Sequence, residues 1–331
     1  MRPSASVSGR AERAVKQQRN SPTLPLKNGV SASRVALPMG PWPTVLAFLC
    51  ERFPQVPAGE WRGRLTNGSV LDEQGRPVDV HAPYTPHRTL SYYRSLPPEP
   101  VIPFEAEVLF QDEHLVVVDK PHFLPVTPGG RYLQQTLLVR LKQSMGLDTL
   151  SPLHRLDRET AGLVLFSVRP AERDAYHAMF RDRAVFKRYE AVAPSNEAMS
   201  WPQVRRSRLA ESATFMQAEE VAGEPNAETH IDCVEVRGTL ARYLLTPLTG
   251  QRHQLRVHMA ALGLPLLNDM IYPDLQPALA EGVPPDYARP LQLLAKSLSF
   301  TDPVTGALRV FDSRRELSWA WEPGRKKEGP R

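Results

Sequence analysis

The chain has 331 residues, 41% of them hydrophobic, which is enough for two domains with a real core. No apolar run approaches the roughly 20 residues of a membrane span, and no apolar signal-peptide core stands near Met1. The two cysteines, Cys50 and Cys233, lie far apart and form neither a disulfide framework nor a metal-binding spacing, so a reduced, cytoplasmic compartment is the expectation. The formal charge is +5, but residues 1–40 carry about +6 and the last eight about +3, leaving the body near −4. The basicity belongs to the tails, and any nucleic-acid surface on the body must come from local clustering.

Residues 1–20 are polar, basic and without periodicity, which predicts a flexible basic arm. Residues 42–53, WPTVLAFLCERF, have the spacing of a short helix with Val45, Leu46, Phe48, Leu49 and Phe53 on its apolar side. A second element near Glu60–Leu65 follows, and GSVLDEQGRPVDV reads as two short strands around a Gln74-Gly75 turn. The proline-rich SLPPEPVIP at 95–103 is a linker, so 21–95 is expected to be a small accessory module.

From residue 104 strands dominate. EVLFQDEHLVVVDKP reads as strand, tight polar turn, strand. Helices are expected over 136–145 and 172–183, and strands over 162–168, 186–193 and 242–248. The last of these leads into a helix at QRHQLRVHMAALG with Thr249 as N-cap. LQLLAKSLSFTDPVTGALRVF reads as a hairpin over a Pro-Val-Thr-Gly turn. The predicted class is α+β: a larger domain over 96–323 with a mixed, mostly antiparallel sheet, followed by a basic tail at 324–331.

Chemistry concentrates at HRLDRETAGLVLF (154–166), where Asp157 stands between Arg155 and Arg158. Flanking guanidinium groups favour an ionised carboxylate, a poor general acid but a competent nucleophile. Taken alone, the same pattern describes an ordinary surface ion pair. His253 and His258 are spaced by five, not by the four of a helical zinc pair, and no third ligand is evident, so no metal is expected. Local basic clusters occur at 181–188 and over Val204–Arg208.

HRLDRETAGLVLF resembles the signature of the RluA-type family of RNA pseudouridine synthases. DEHLVVVDKP with LPVTPGG, FKRYEAV, and TGQRHQLRVHMAALGLPLLNDMIYP resemble three further motifs of that family, in order, across roughly 104–312. Three positions depart from its pattern: Gln251 stands where an arginine is usual, Leu294 where a histidine is usual, and Asn268 where glycine is common.

The resemblance implies an isomerase that converts a specific uridine of rRNA or tRNA to pseudouridine, without a cofactor. Asp157 takes the position of the essential aspartate, acting at ribose C1′, at base C6 or on a ribose proton. Tyr189 takes the position of the active-site tyrosine that packs on the target base, and Arg256 that of the arginine pairing with the aspartate. Arg155 matches the residue that in some members fills the space vacated by a flipped base. His154, Leu156, Arg158, Lys187, Arg188, Arg252, His253 and Gln254 complete the residues expected to contact RNA. The accessory module has the helix–helix–hairpin order of an RNA-binding module that often precedes this domain. The implied partner is structured RNA, not a membrane, and the implied state is a monomer. Two other classes fit parts of the pattern: a non-catalytic RNA-binding relative, and an aspartate-dependent glycosidase using Glu159 as its acid.

Overall fold

The computed structural model describes residues 24–94, 99–130, 132–214, 216–277, 283 and 285–318. The arm expected at 1–20 and the tail expected at 324–331 lie outside them. The chain divides into two units, Met1–Ser95 and Leu96–Arg331.

In the first unit, β1 (Ser33–Ala36), α1 (Val45–Arg52), α2 (Ala58–Thr66), β2 (Val70–Leu71) and β3 (Thr89–Tyr92) build a three-stranded antiparallel sheet in the order β1-β3-β2, with two helices. Thr44 caps α1 by accepting from the Ala47 amide at 3.2 Å. The core joins Val45, Phe48 and Leu49 of α1 to Trp61 and Leu65 of α2 and to Leu90 and Tyr92 of β3. At the predicted turn, Gly75 adopts φ 78° and the Asp72 carboxylate accepts from the Gln74 and Arg76 amides.

The second unit runs through β4 (Glu107–Gln111), β5 (Leu115–Lys120), α3 (Leu137–Met145), β6 (Ser151–Pro152), β7 (Ala161–Ser167), α4 (Arg173–Arg181) and β8 (Phe186–Pro194). It continues through β9 (Gln203–Glu211), β10 (Ala218–Val221), β11 (Ala227–Arg237), β12 (Leu240–Pro247), α5 (Gln254–Ala261), β13 (Leu293–Thr301) and β14 (Leu308–Asp312). Eleven strands form one sheet in the order β10-β9-β11-β12-β8-β13-β7-β5-β4, with β14 beside β13 and β6 beside β7. Among the described residues the parallel contact is β13 on β7; the other pairings are antiparallel.

β5 and β7 are buried along their whole length, which explains their continuous apolar runs. Val116, Val118, Val164 and Phe166 pack with Leu137 and Leu141 of α3. Leu115, Val117, Leu163 and Leu165 pack instead with Tyr176 and Met179 of α4. Residues i and i+1 of each strand therefore serve opposite faces, as the pleat requires.

Three expectations change. After the Gln74-Gly75 turn no second strand forms: Pro77 makes an isolated bridge to Leu71, and β2 takes β3 as its partner. Thr249 does not cap α5, which begins at Gln254 after His253 in the left-handed region (φ 55°). Thr249 instead donates to the Gln254 side chain at 2.7 Å and accepts from the Glu228 amide at 2.9 Å, tying β11 to the entry of α5. The basic stretch Val204–Arg208 is a sheet strand, β9. Arg205 pairs with Glu220 on one neighbour and Arg206 with Glu228 on the other, so the cluster is dispersed by strand pairing.

Candidate active site

The segment HRLDRET lies between β6 and β7, and its shape is imposed from below by buried polar groups. Lys120, the last residue of β5, is fully buried and donates its ammonium to the carbonyls of Pro121 (2.9 Å), Leu124 (2.9 Å) and Arg158 (3.2 Å). Burial pulls its pKa down to about 7, against the pull of Glu159 and Asp157. The His122 ring bonds the Glu159 carbonyl at 2.6 Å, and the Thr160 amide closes a turn onto the Asp157 carbonyl at 3.2 Å. Two consecutive carbonyls of the loop are thus anchored to the end of β5. Gly162 completes the arrangement. Its φ is +111°, and a Cβ there would sit 2.3 Å from the Ala295 carbonyl oxygen, so only glycine lets β13 run against β7 at this point.

The Asp157 side chain is 31% exposed, and its two oxygens have different surroundings. Oδ2 accepts from Arg256 Nη1 at 3.2 Å. Oδ1 has His253 Nε2 at 3.8 Å, beyond hydrogen-bond length. Arg256, on α5, is 1% exposed and is fixed by Asp269, which takes Nε at 2.8 Å and Nη2 at 2.6 Å. Asp269 also accepts from the Ile271 and Tyr272 amides, so the carboxylate that holds the arginine is itself held. Burial opposes the Arg256 cation, but bonding to Asp269, with the charges of Asp157 and Glu159, overrides it and drives its pKa upward. This is a guanidinium of fixed charge and position, aimed at one oxygen of a half-exposed carboxylate.

Tyr189, on β8, packs against both core clusters that meet at the site. Burial, and then the Asp157 charge, raise its phenol pKa, so at neutral pH it offers a neutral aromatic face. Glu159 bonds Arg158 through Nε (2.7 Å) and Nη2 (2.6 Å). Burial alone would raise its pKa, yet Arg158 and Arg256 hold it below the ordinary carboxylate range. A carboxylate kept ionised has no proton to donate, which removes the acid that a glycosidase reading requires.

A family model described as RNA pseudouridylate synthase matches residues 114–261, the span from the end of the β4–β5 turn to the end of α5. An uncharacterized RNA pseudouridine synthase of Synechocystis is 32% identical over 232 residues, 69% of this chain and 79% of that protein. The dual-specificity RNA pseudouridine synthase RluA of Haemophilus influenzae is 30% identical over 214 residues, 64% of this chain and 94% of that protein. The chain belongs to the RluA-type pseudouridine synthase family. It is an isomerase acting on RNA. The fold agrees: human RNA pseudouridylate synthase domain containing 1 superposes with a TM-score of 0.51 at 21% identity, covering 66% of this chain and 86% of that one.

The synthase brings Asp157, Tyr189 and Arg256 together from the β6–β7 loop, β8 and α5. The residues expected to contact RNA divide. Arg155 is exposed and makes no hydrogen bond or ion pair among the described residues. Arg188 is also exposed, over the Phe186 ring, but the pleat of β8 turns it to the side opposite Tyr189. Arg252 is about half exposed and reaches the Met216 carbonyl at 3.1 Å. Lys187 is partly buried, donating to the Thr249 carbonyl at 3.3 Å, and burial lowers its pKa.

Four others make contacts inside the protein. His154 accepts the Leu165 amide on Nε2 at 3.1 Å and packs on Phe180, and burial takes its pKa down to about 3; the ring holds the loop to β7. Leu156 belongs to the core cluster of α3. Arg158 is committed to Glu159 and lies over the Tyr132 ring. Gln254 is 4% exposed and links Thr249, Glu228 and Thr229. His253 points at Asp157, with a side chain only 8% exposed.

Sequence reading passed over Lys120, Asp269 and Tyr272 as site residues. The Lys-Pro after a buried strand and the Asp-x-x-Tyr after α5 were visible, but nothing local says that Asp269 reaches back 13 residues to Arg256. Among the described residues, no three His, Cys, Asp or Glu side chains group as metal ligands, and no helix is long and apolar enough to cross a membrane.

Proposed function

We propose that this enzyme converts a specific uridine in structured rRNA or tRNA to pseudouridine, with Asp157 as the nucleophile on a flipped-out base. The observation that carries this reading is the asymmetry of the Asp157 carboxylate: Oδ2 is bonded to a buried, fixed guanidinium, while Oδ1 has no hydrogen bond among the described residues and lies in a partly open site. A charge so oriented has one oxygen free to attack ribose C1′ or base C6, or to take a ribose proton, without the reorganisation that water would demand.

Tyr189, a neutral phenol close enough for the Asp157 charge to raise its pKa, provides the apolar face on which uracil rests while it rotates and re-bonds through carbon. Extracting the base from a folded RNA costs about a few kcal/mol, and in this reading Arg155, exposed in the same loop and without an ion pair among the described residues, fills the vacated stack. Related proteins include a dual-specificity RNA pseudouridine synthase in Haemophilus influenzae and a mitochondrial tRNA pseudouridine(32) synthase in yeast. The chain acts as a monomer in the cytoplasm in this reading.

Pseudouridine mapping of total RNA with and without the gene tests the proposal. One or a few sites vanish on deletion and return with the wild-type chain but not with Asp157→Asn, which folds normally. Full restoration by Asp157→Asn would sink the nucleophile assignment.

A further inference from the structure

Oδ1 of Asp157 faces a second device that the reading above leaves unused. His253, in the left-handed region just ahead of α5, turns its ring between Asp157 and Tyr272. Nδ1 lies 3.0 Å from the Tyr272 hydroxyl, and that hydroxyl already accepts the Ala218 amide at 2.7 Å. Tyr272 is 6% exposed, and the ring nitrogen is the one acceptor within reach of its proton among the described residues. If Nδ1 carried a hydrogen, the phenol would accept from both neighbours and its own O–H would be buried without a partner, which costs about 1–3 kcal/mol. The hydroxyl therefore donates to Nδ1, and the neutral imidazole carries its hydrogen on Nε2, the nitrogen aimed at Asp157.

We propose that His253 is a positioning residue for Asp157: Tyr272 holds it in the Nε2–H tautomer so that a neutral donor faces the oxygen Arg256 leaves free. A carboxylate torsion is broad and roughly two-fold. One bond from Arg256 at 3.2 Å leaves Asp157 able to swing about that contact. A donor at 3.8 Å from Oδ1 bounds the swing without occupying the nucleophilic lone pair, and a small rotation brings it into bonding range whenever the carboxylate charge is restored at the end of the reaction.

The ring is kept neutral in this role. Burial holds its pKa below the ordinary imidazole value, against the pull of Asp157, and Arg256 and Arg252 reinforce the effect while Asp269 opposes it. Burial raises Tyr272, so its phenol keeps the proton it donates. A charged His253 would instead bind Oδ1 directly and blunt it, so the free enzyme loses activity on the acid side as His253 protonates. The groups facing the ring are Asp157 from the β6–β7 loop, Arg252 beside it, Arg256 on α5, and Asp269 and Tyr272 after it.

The inference rests on Asp157 as nucleophile, and the test separates the two. The full-length enzyme is assayed in single and multiple turnover on the RNA stem-loop carrying the mapped uridine, comparing His253→Ala, His253→Gln, Tyr272→Phe and Asp157→Asn, each checked by thermal melting. His253→Ala lowers the single-turnover rate by about ten- to a hundredfold with KM within about twofold. His253→Gln, whose amide N–H can take the place of Nε2–H, regains most of that loss. Tyr272→Phe frees Nδ1 to bind a proton and moves the acid limb of the pH–rate profile upward.

Three results overturn the inference alone, provided Asp157→Asn is inactive: a raised KM with an unchanged single-turnover rate in His253→Ala, His253→Gln as impaired as His253→Ala, or an acid limb unmoved by Tyr272→Phe. An active Asp157→Asn overturns the nucleophile reading itself. Should His253→Ala fail to fold, the Gln and Phe variants still decide.

Discussion

Arg256 gives two of its N–H groups to Asp269, at 2.6 and 2.8 Å, and one to Asp157 at 3.2 Å. The fully buried carboxylate sets the position of the guanidinium, and the half-exposed one receives what is left. Charge balance alone would be met by any two acids near one arginine; the division into a structural and a reactive carboxylate comes from their unequal burial and from the backbone amides that hold Asp269.

Removing Asp269 is therefore expected to damage both stability and turnover. Asp269→Ala leaves a buried cation without its main partner, lowering the unfolding free energy by about 3–5 kcal/mol and kcat by about a hundredfold. Arg256→Lys keeps the charge but cannot bridge both acids in the same way, and loses activity with a smaller loss of stability. Urea unfolding and single-turnover rates measure the two effects; an Asp269→Ala enzyme with wild-type kcat would show that Arg256 needs no second anchor.

Gly162→Ala tests the loop from its other end. The added Cβ would meet the Ala295 carbonyl oxygen, a backbone atom with no side chain to move aside, at a φ that L-residues rarely adopt. A loss of at least about 2 kcal/mol is expected. Because the clash is with backbone, Ala295→Gly does not rescue it. Restored stability in the double variant contradicts the close approach of β13 and β7.

Stability should fall in acid because of three histidines whose pKa values are depressed in the fold. Folded-state pKa values of about 4 for His122, about 3 for His154 and about 4 for His258 lie below the ordinary 6.5, each through burial first. The unfolded chain then binds more protons than the native one. The stability is fully present above pH 6.5 and is lost as pH falls toward 4, at about 1.4 kcal/mol per pH unit for each proton. Denaturant midpoints at pH 7.5, 6.5 and 5.5 read this directly, and His258→Asn should make the dependence shallower; a flat profile down to pH 5 would rule out buried neutral rings.

Arg155→Ala should separate base extraction from chemistry. Turnover of a paired or stacked target uridine drops by about tenfold or more, while the same uridine in an unpaired oligonucleotide changes by less than about twofold. Equal losses on both substrates would assign Arg155 to phosphate contact instead, with a steeper salt dependence as its mark.

The local patterns were legible because they are local. The continuous apolar runs of β5 and β7, the apolar faces of α1 and α3, the Gln74-Gly75 turn and the final hairpin each follow from residues close together in the chain, while Asp157, Tyr189 and Arg256 were singled out by the resemblance of four motifs to one family. The strands β9, β10 and β11 were not legible. Their residues alternate charge with small and polar side chains, and they are strands because antiparallel neighbours pair Arg205 with Glu220 and Arg206 with Glu228.

The sequence by itself determined that an aspartate, a tyrosine and an arginine of an RNA-modifying enzyme stand in this chain. Only the tertiary structure decided how that arginine is held against the aspartate. Arg158, its sequence neighbour, is drawn off by Glu159, and Arg256, 99 residues away, is delivered by α5 and locked by Asp269. The same holds for His253, expected from the resemblance to contact RNA and set by the fold between Asp157 and Tyr272. A side chain's partners are set by burial and by the backbone beneath it, and neither is written in the spacing of residues along the chain.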